Sequence, residues 1–123
     1  MNKIWLTTAA ILVLNGIYAQ DNPEEVIQSQ EYDVIIDSML YYYNDNPVKA
    51  LDFSKQAEQY IHLIDDLGKK ASLYHNTGQL YYRTSNYDKA INYLEKSLRM
   101  KEKLADSSSI SNTMNSIGLV YFD

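Results

Sequence analysis

The sequence predicts an all-α chain, an α-solenoid of stacked antiparallel helix pairs, and three observations carry that reading. The first is self-similarity at a period of 40: residues 31 to 70 laid over 71 to 110 pair Leu40 with Leu80, Tyr41 with Tyr81, Tyr42 with Tyr82, Asn46 with Asn86, Lys49 with Lys89, Ala50 with Ala90 and Asp66 with Asp106. Periods of about 20 to 50 residues mark arrays whose units bury their apolar faces against one another. Secondly, apolar and small residues return at steps of three and four, the spacing of one helix face. The third is punctuation: Asn46-Pro47 and Asn86 stand at the same point of each unit, where an asparagine side chain caps a helix and proline fits its first position.

The elements follow in order. Met1 to Lys3 carry one positive charge, Ile4 to Leu14 form an 11-residue apolar run interrupted only by Thr7 and Thr8, and Ile17-Tyr18-Ala19 sets a small residue before Gln20. That is the layout of a secretion leader, residues 1–19, with cleavage expected after Ala19. A spanning anchor needs about 20 apolar residues, so it fits the run less well. Residues 20–30 read as a linker, 31–70 as the first unit, 71–110 as the second and 111–123 as the first helix of an incomplete third. First helices are expected at 31 to 44 and 70 to 84, with Val34, Ser38 and Tyr41, then Tyr74, Gly78 and Tyr81, on the inner face. Second helices are expected at 47 to 66 and 87 to 105, turning Ala50, Phe53, Ala57 and Ile64, or Ala90, Tyr93, Leu94, Ser97 and Leu104, inward. Gly68 and Ser107-Ser108-Ser109 read as their stops. A third first helix begins near Ile110 and presents Met114, Ile117, Gly118 and Tyr121, without a partner helix before Asp123. This predicts a fragment of a longer array.

Composition narrows the function. The net charge is −5, and removal of the leader takes away Lys3 and no acid, which makes it −6. An acidic surface repels phosphate backbones and anionic lipid, so neither nucleic acid nor membrane insertion is expected of the segment after the leader. Without cysteine there is neither a disulfide nor a lipid-modified N-terminus, and packing alone must hold the fold. His62 and His75 have no second histidine or cysteine at ligand spacing and read as solvated or groove-lining. No metal and no cofactor are expected. There is no nucleophile elbow and no phosphate-cradling glycine loop, so no catalytic residue is assigned.

The second unit resembles the tetratricopeptide repeat: Tyr74, Gly78, Tyr81, Ala90 and Ser97 fall at that family's positions, with Thr77 in place of its leucine, Leu94 of its later aromatic and Glu102 of its proline. The first unit, with Val34, Asp37, Ser38, Tyr41, Ala50, Ser54 and Ala57 at those positions, is a degenerate copy of the kind found at array ends. The 40-residue unit and the stretch Asn86-Tyr87-Asp88-Lys89-Ala90-Ile91 are similar to the long-repeat subclass. The resemblance implies a protein or peptide as partner, held in a concave groove lined by the other face of the first helices. On family geometry that face is Tyr32, Ile35, Met39 and Tyr42 in the first unit, Ser72, His75, Gln79 and Tyr82 in the second, and Asn112, Asn115, Leu119 and Phe122 in the third. Such a groove is aromatic and amide-rich with little charge. Leader, linker and long repeats together resemble the extracytoplasmic sensor region of Bacteroidetes-like signalling proteins. Two readings stay open: an exported interaction module tethered to a membrane through a further C-terminal part, or the non-catalytic front of an enzyme such as a histidine kinase whose catalytic domain lies beyond Asp123.

Overall fold

A computed structural model describes residues 23–123; the expected leader, its expected cleavage after Ala19 and the start of the expected linker lie outside the described residues. Five helices follow one another: α1 (Pro23–Tyr42), α2 (Pro47–Glu58), α3 (Leu67–Arg83), α4 (Tyr87–Leu104) and α5 (Ser107–Phe122), with a short 3₁₀ turn, Ile61–Leu63, between α2 and α3. Each helix packs on its successor, and α3 also meets α5, so the chain is a two-layer stack of antiparallel pairs. The described residues contain no strand. No helix among them is long and apolar enough to cross a membrane.

The helix starts are chemically uniform. Asn46 and Asn86 accept the Lys49 and Lys89 amide N–H groups, as expected, and Pro47 stands in the first turn of α2. Asp66 and Asp106, also 40 apart, do the same for α3 and α5, accepting from Lys69 and Ser109. The repeated aspartate is thus a helix start. This corrects the reading of Gly68 and Ser107-Ser108-Ser109 as stops: all four lie in the first turns of α3 and α5. The actual end of α4 is Ala105, left-handed at φ 54°, with the Asp106 N–H returning to the Lys101 carbonyl. Alanine in that conformation carries no sequence signal; glycine would have.

Other boundaries move as well. Helix α1 begins at Pro23, so most of the expected linker is helical, and α2 stops at Glu58 instead of near residue 66. No glycine or proline causes that stop. The chain tightens into the 3₁₀ turn, which packs on α1, and this lets Ile64 enter the core while Tyr60 Oη donates to Glu31. Leu104, expected inside, is exposed.

The core runs through Met39, Ala50, Leu51, Ala57, Leu73, Leu80, Tyr81, Ala90, Leu94 and Val120. Where α3 and α4 cross, Gly78 has no side chain for a reason: a Cβ there would lie 2.7 Å from Leu94 Cγ and 3.1 Å from the Ala90 carbonyl oxygen. Ser97 Oγ donates to the Ala71 carbonyl at 2.7 Å in the same tight contact. Tyr74, Gly78 and Tyr81 therefore face α4 as expected.

In α1 the expected face is wrong. Val34 and Tyr41 are 65% and 77% exposed, while Tyr32 and Met39 are buried. The cause is one residue in a turn. Asn86 N–H returns to Tyr81, five residues back, through Ser85 in the left-handed region (φ 62°), whereas Asn46 N–H returns to Tyr42, only four back. The equivalent of Tyr81 is therefore Tyr42, at an offset of 39, although the second helices keep 40. Three contacts agree. Tyr42 stacks on Phe53 with centroids 5.9 Å apart, as Tyr81 does on Tyr93 at 5.4 Å. The Lys49 ammonium lies 4.0 Å above the Tyr42 ring, as Lys89 lies 5.3 Å above Tyr81. Met39 takes the buried place that Gly78 holds in α3.

Candidate functional site

Three first helices, α1, α3 and α5, lie side by side and are fastened by a row of side-chain hydrogen bonds. Tyr43 Oη donates to Gln79 Oε1, Gln79 Nε2 donates to Ser116 Oγ at 3.1 Å, and Ser116 Oγ donates to the Asn112 carbonyl at 3.1 Å. The row links the three helices through uncharged groups, so it ties them together without burying a charge. Above it opens a cavity of about 340 Å³ lined by Tyr43, Gln79, Tyr82, Arg83, Leu94, Ser116, Leu119 and Val120. Arg83 forms one wall. Its guanidinium donates to the Tyr43 carbonyl at 2.7 Å and to Asn44, and lies over the Tyr43 ring. It thereby closes the C-terminus of α1, where carbonyls lack partners and a cation is favoured. Burial raises the Tyr43 hydroxyl above its ordinary pKa, and Arg83 pulls it partly back.

A second cavity, about 430 Å³, opens nearer the starts of α3 and α5 and is lined by Tyr32, Asp33, Ile36, Asp66, Lys69, Ser72, Asn76, Lys101, Leu104 and Asp106 among others. Asp33 and Lys69 pair across it at 3.2 Å. Burial, with the Asp33 and Asp66 carboxylates adding, pushes the Tyr32 hydroxyl up to about 12. The expectation of a groove with little charge is therefore corrected: one half is apolar and amide-lined, the other carries charges of both signs.

Behind this cavity lies a buried polar cluster. Thr113 Oγ1 donates to the Ser109 carbonyl at 3.0 Å, which leaves two lone pairs; Lys101 Nζ donates to one at 2.7 Å and His75 Nδ1 fills the other at 3.1 Å. That count makes His75 Nδ1 the donor, so it carries a proton. Burial, and the nearby Lys101 ammonium, hold its pKa down at about 4. Burial likewise lowers Lys101, with Asp106 acting against it. The sign of the pH effect follows. The unfolded histidine binds a proton near 6.5 and the folded one does not until about 4, so stability is whole above 6.5 and falls through that window on acidification. The expected loss is about 2–3 kcal/mol between pH 7 and pH 4. Asp106, held below its ordinary 3.8 by Ser109, adds its loss only at lower pH. Urea unfolding at pH 7 and pH 5 checks this, and His75→Gln is expected to flatten the difference.

The twelve groove residues divide accordingly. Gln79, Tyr82 and Leu119 line the apolar cavity and Ser72 the charged one, which the buried Tyr32 also borders. Asn112, Asn115 and Phe122 are exposed on α5. Tyr32 and Met39 are core residues, Ile35 is half-buried against that core, and Tyr42 faces α2 through Phe53; all four follow from the one-residue offset of α1. His75 is buried and His62 is exposed in the 3₁₀ turn. Sequence reasoning missed Tyr43, Arg83 and Ser116, of which Tyr43 needed only the shorter turn to be recognised.

Among the described residues no three His, Asp or Glu side chains gather as a metal site. Against known families, the tetratricopeptide repeat matches residues 38–103 and 71–123, well over half the chain. The chain belongs to the tetratricopeptide repeat family. No curated protein and no solved structure matches it. Tetratricopeptide repeats are protein–protein interaction modules and are generally non-catalytic, which agrees with a site built of packing, amides and one closing arginine.

Proposed function

We propose that the chain is an exported module that binds an extended, largely uncharged peptide segment of a partner protein, with the segment lying across α1, α3 and α5 in the apolar cavity. The observation that carries this is the fastened row of Tyr43, Gln79 and Ser116 beneath Leu119 and Tyr82: the floor is rigid before any partner arrives, so little ordering is left for binding. Export is supported by the leader pattern of residues 1–19, and a sensor region of a larger signalling protein is the role that leader and long repeats together favour. A peptide-display library panned against the chain tests the groove. Peptides enriched on the parent are expected to bind Leu119→Asp combined with Tyr82→Ala about tenfold more weakly or worse, a loss of at least about 1.4 kcal/mol. Leu119 is exposed and Tyr82 half-exposed, so the fold is retained. Equal binding by both proteins would remove the groove from the account.

A further inference from the structure

The charged cavity is bordered by two buried polar groups whose bonding is incomplete. Tyr32 is 2% exposed, yet its hydroxyl makes no hydrogen bond among the described residues. Lys101 is 8% exposed, and of the three donors on its ammonium only one is used, at 2.7 Å on Thr113 Oγ1. It pairs with no carboxylate among the described residues, where the one ion pair joins Lys69 to Asp33. A buried cation without a counter-ion, beside a buried phenol without a partner, is costly to fold around. Both border the same open volume of about 430 Å³, a size ordinary for small-ligand sites.

The lining charges say what would fill it. The Asp33 and Asp66 carboxylates act on Tyr32, and only one oxygen of Asp66 is taken by the start of α3. A lone anion brought to Lys101 would therefore meet repulsion from these acids, and a lone cation brought to the acids would leave Lys101 unpaired. A molecule carrying both charges answers both. Ile36, Leu73 and Leu104 add apolar wall. We propose that this cavity binds a small zwitterion, an α-ammonium and an α-carboxylate joined by an apolar body, as in a free amino acid or a di- or tripeptide. The carboxylate accepts the two unused Lys101 donors, and the ammonium donates to Tyr32 Oη and Asp66. The cavity shares no lining residue with the apolar one, so this site stands apart from the peptide groove and is tested separately.

Titration calorimetry of the full chain with leucine, dileucine and trileucine at pH 7 is the test, and the length that binds best identifies the source of the zwitterion. Its N-acetylated and C-terminally amidated forms are each expected to bind about tenfold more weakly or worse. Tyr32→Phe removes a hydroxyl that no described residue needs, so the fold is retained while affinity is expected to fall about tenfold; Lys101→Met, checked by circular dichroism, should show the same loss. An N-acetylated form that binds as well as the parent compound would reduce the ligand to an anion, an amidated form that does so would reduce it to a cation, and either result overturns the proposal. So does unchanged affinity in either variant, or the absence of binding by all three compounds, which would leave water as the occupant.

Discussion

Leu94→Ala is expected to destabilise the fold by about 3–5 kcal/mol, the upper part of the range for leucine truncations in cores. The side chain is fully buried at the crossing of α3 and α4. Opposite it stands Gly78, which has no side chain to move into the vacated volume, and the neighbouring Ala90 has almost none. Collapse of the cavity would therefore require the helix backbones to approach, and the Ser97-to-Ala71 hydrogen bond at 2.7 Å already holds them in contact. Urea unfolding of the parent and the variant measures the difference. A loss below about 1 kcal/mol would mean that this crossing does not organise the stack.

Thr113→Val should cost about 2–3 kcal/mol although it keeps the shape of the side chain. The hydroxyl is the shared partner of Lys101, His75 and the Ser109 carbonyl, and valine leaves the first two without it. An unpaired buried ammonium is the costlier of the two. Since the cluster sits where α5 joins α3 and α4, the loss is expected to appear first as release of α5. Hydrogen exchange of the α5 amides is the sensitive reading, and protection in α3 should outlast it. Combining the substitution with Lys101→Met is expected to restore part of the stability, because the stranded charge is removed with its partner.

Helix count, pairing and the asparagine caps were legible because each rests on local chemistry repeated at one spacing: Asn46 and Asn86 cap, Pro47 starts, and Ala50 and Ala90 are small where helices touch. The second unit could be read almost residue by residue. What escaped was set by tertiary contact or by backbone conformation without a marker residue. Ser85 and Ala105 end helices in the left-handed region, where glycine would have signalled the turn. Glu58 ends α2 because Ile64 is wanted in the core. The candidate site suffered most in α1. Matching units by identity aligned Tyr41 with Tyr81, whereas packing aligns Tyr42 with it, so Tyr32 and Met39 were assigned to the groove. A run of three tyrosines, Tyr41 to Tyr43, matches almost equally well in either alignment.

The shorter connector between Tyr42 and Asn46 has a bearing on how such arrays diversify. One residue is about 100° of helix rotation, so trimming a loop by a single position revolves an entire helix while leaving both of its ends in place. Side chains that lined the binding surface are exchanged for those that faced a neighbour, all at once and without a substitution. Loop length in this architecture is thus a selector of which existing stripe a partner meets, and drift in connector length is a route to new specificity that comparison of helix sequences alone would overlook.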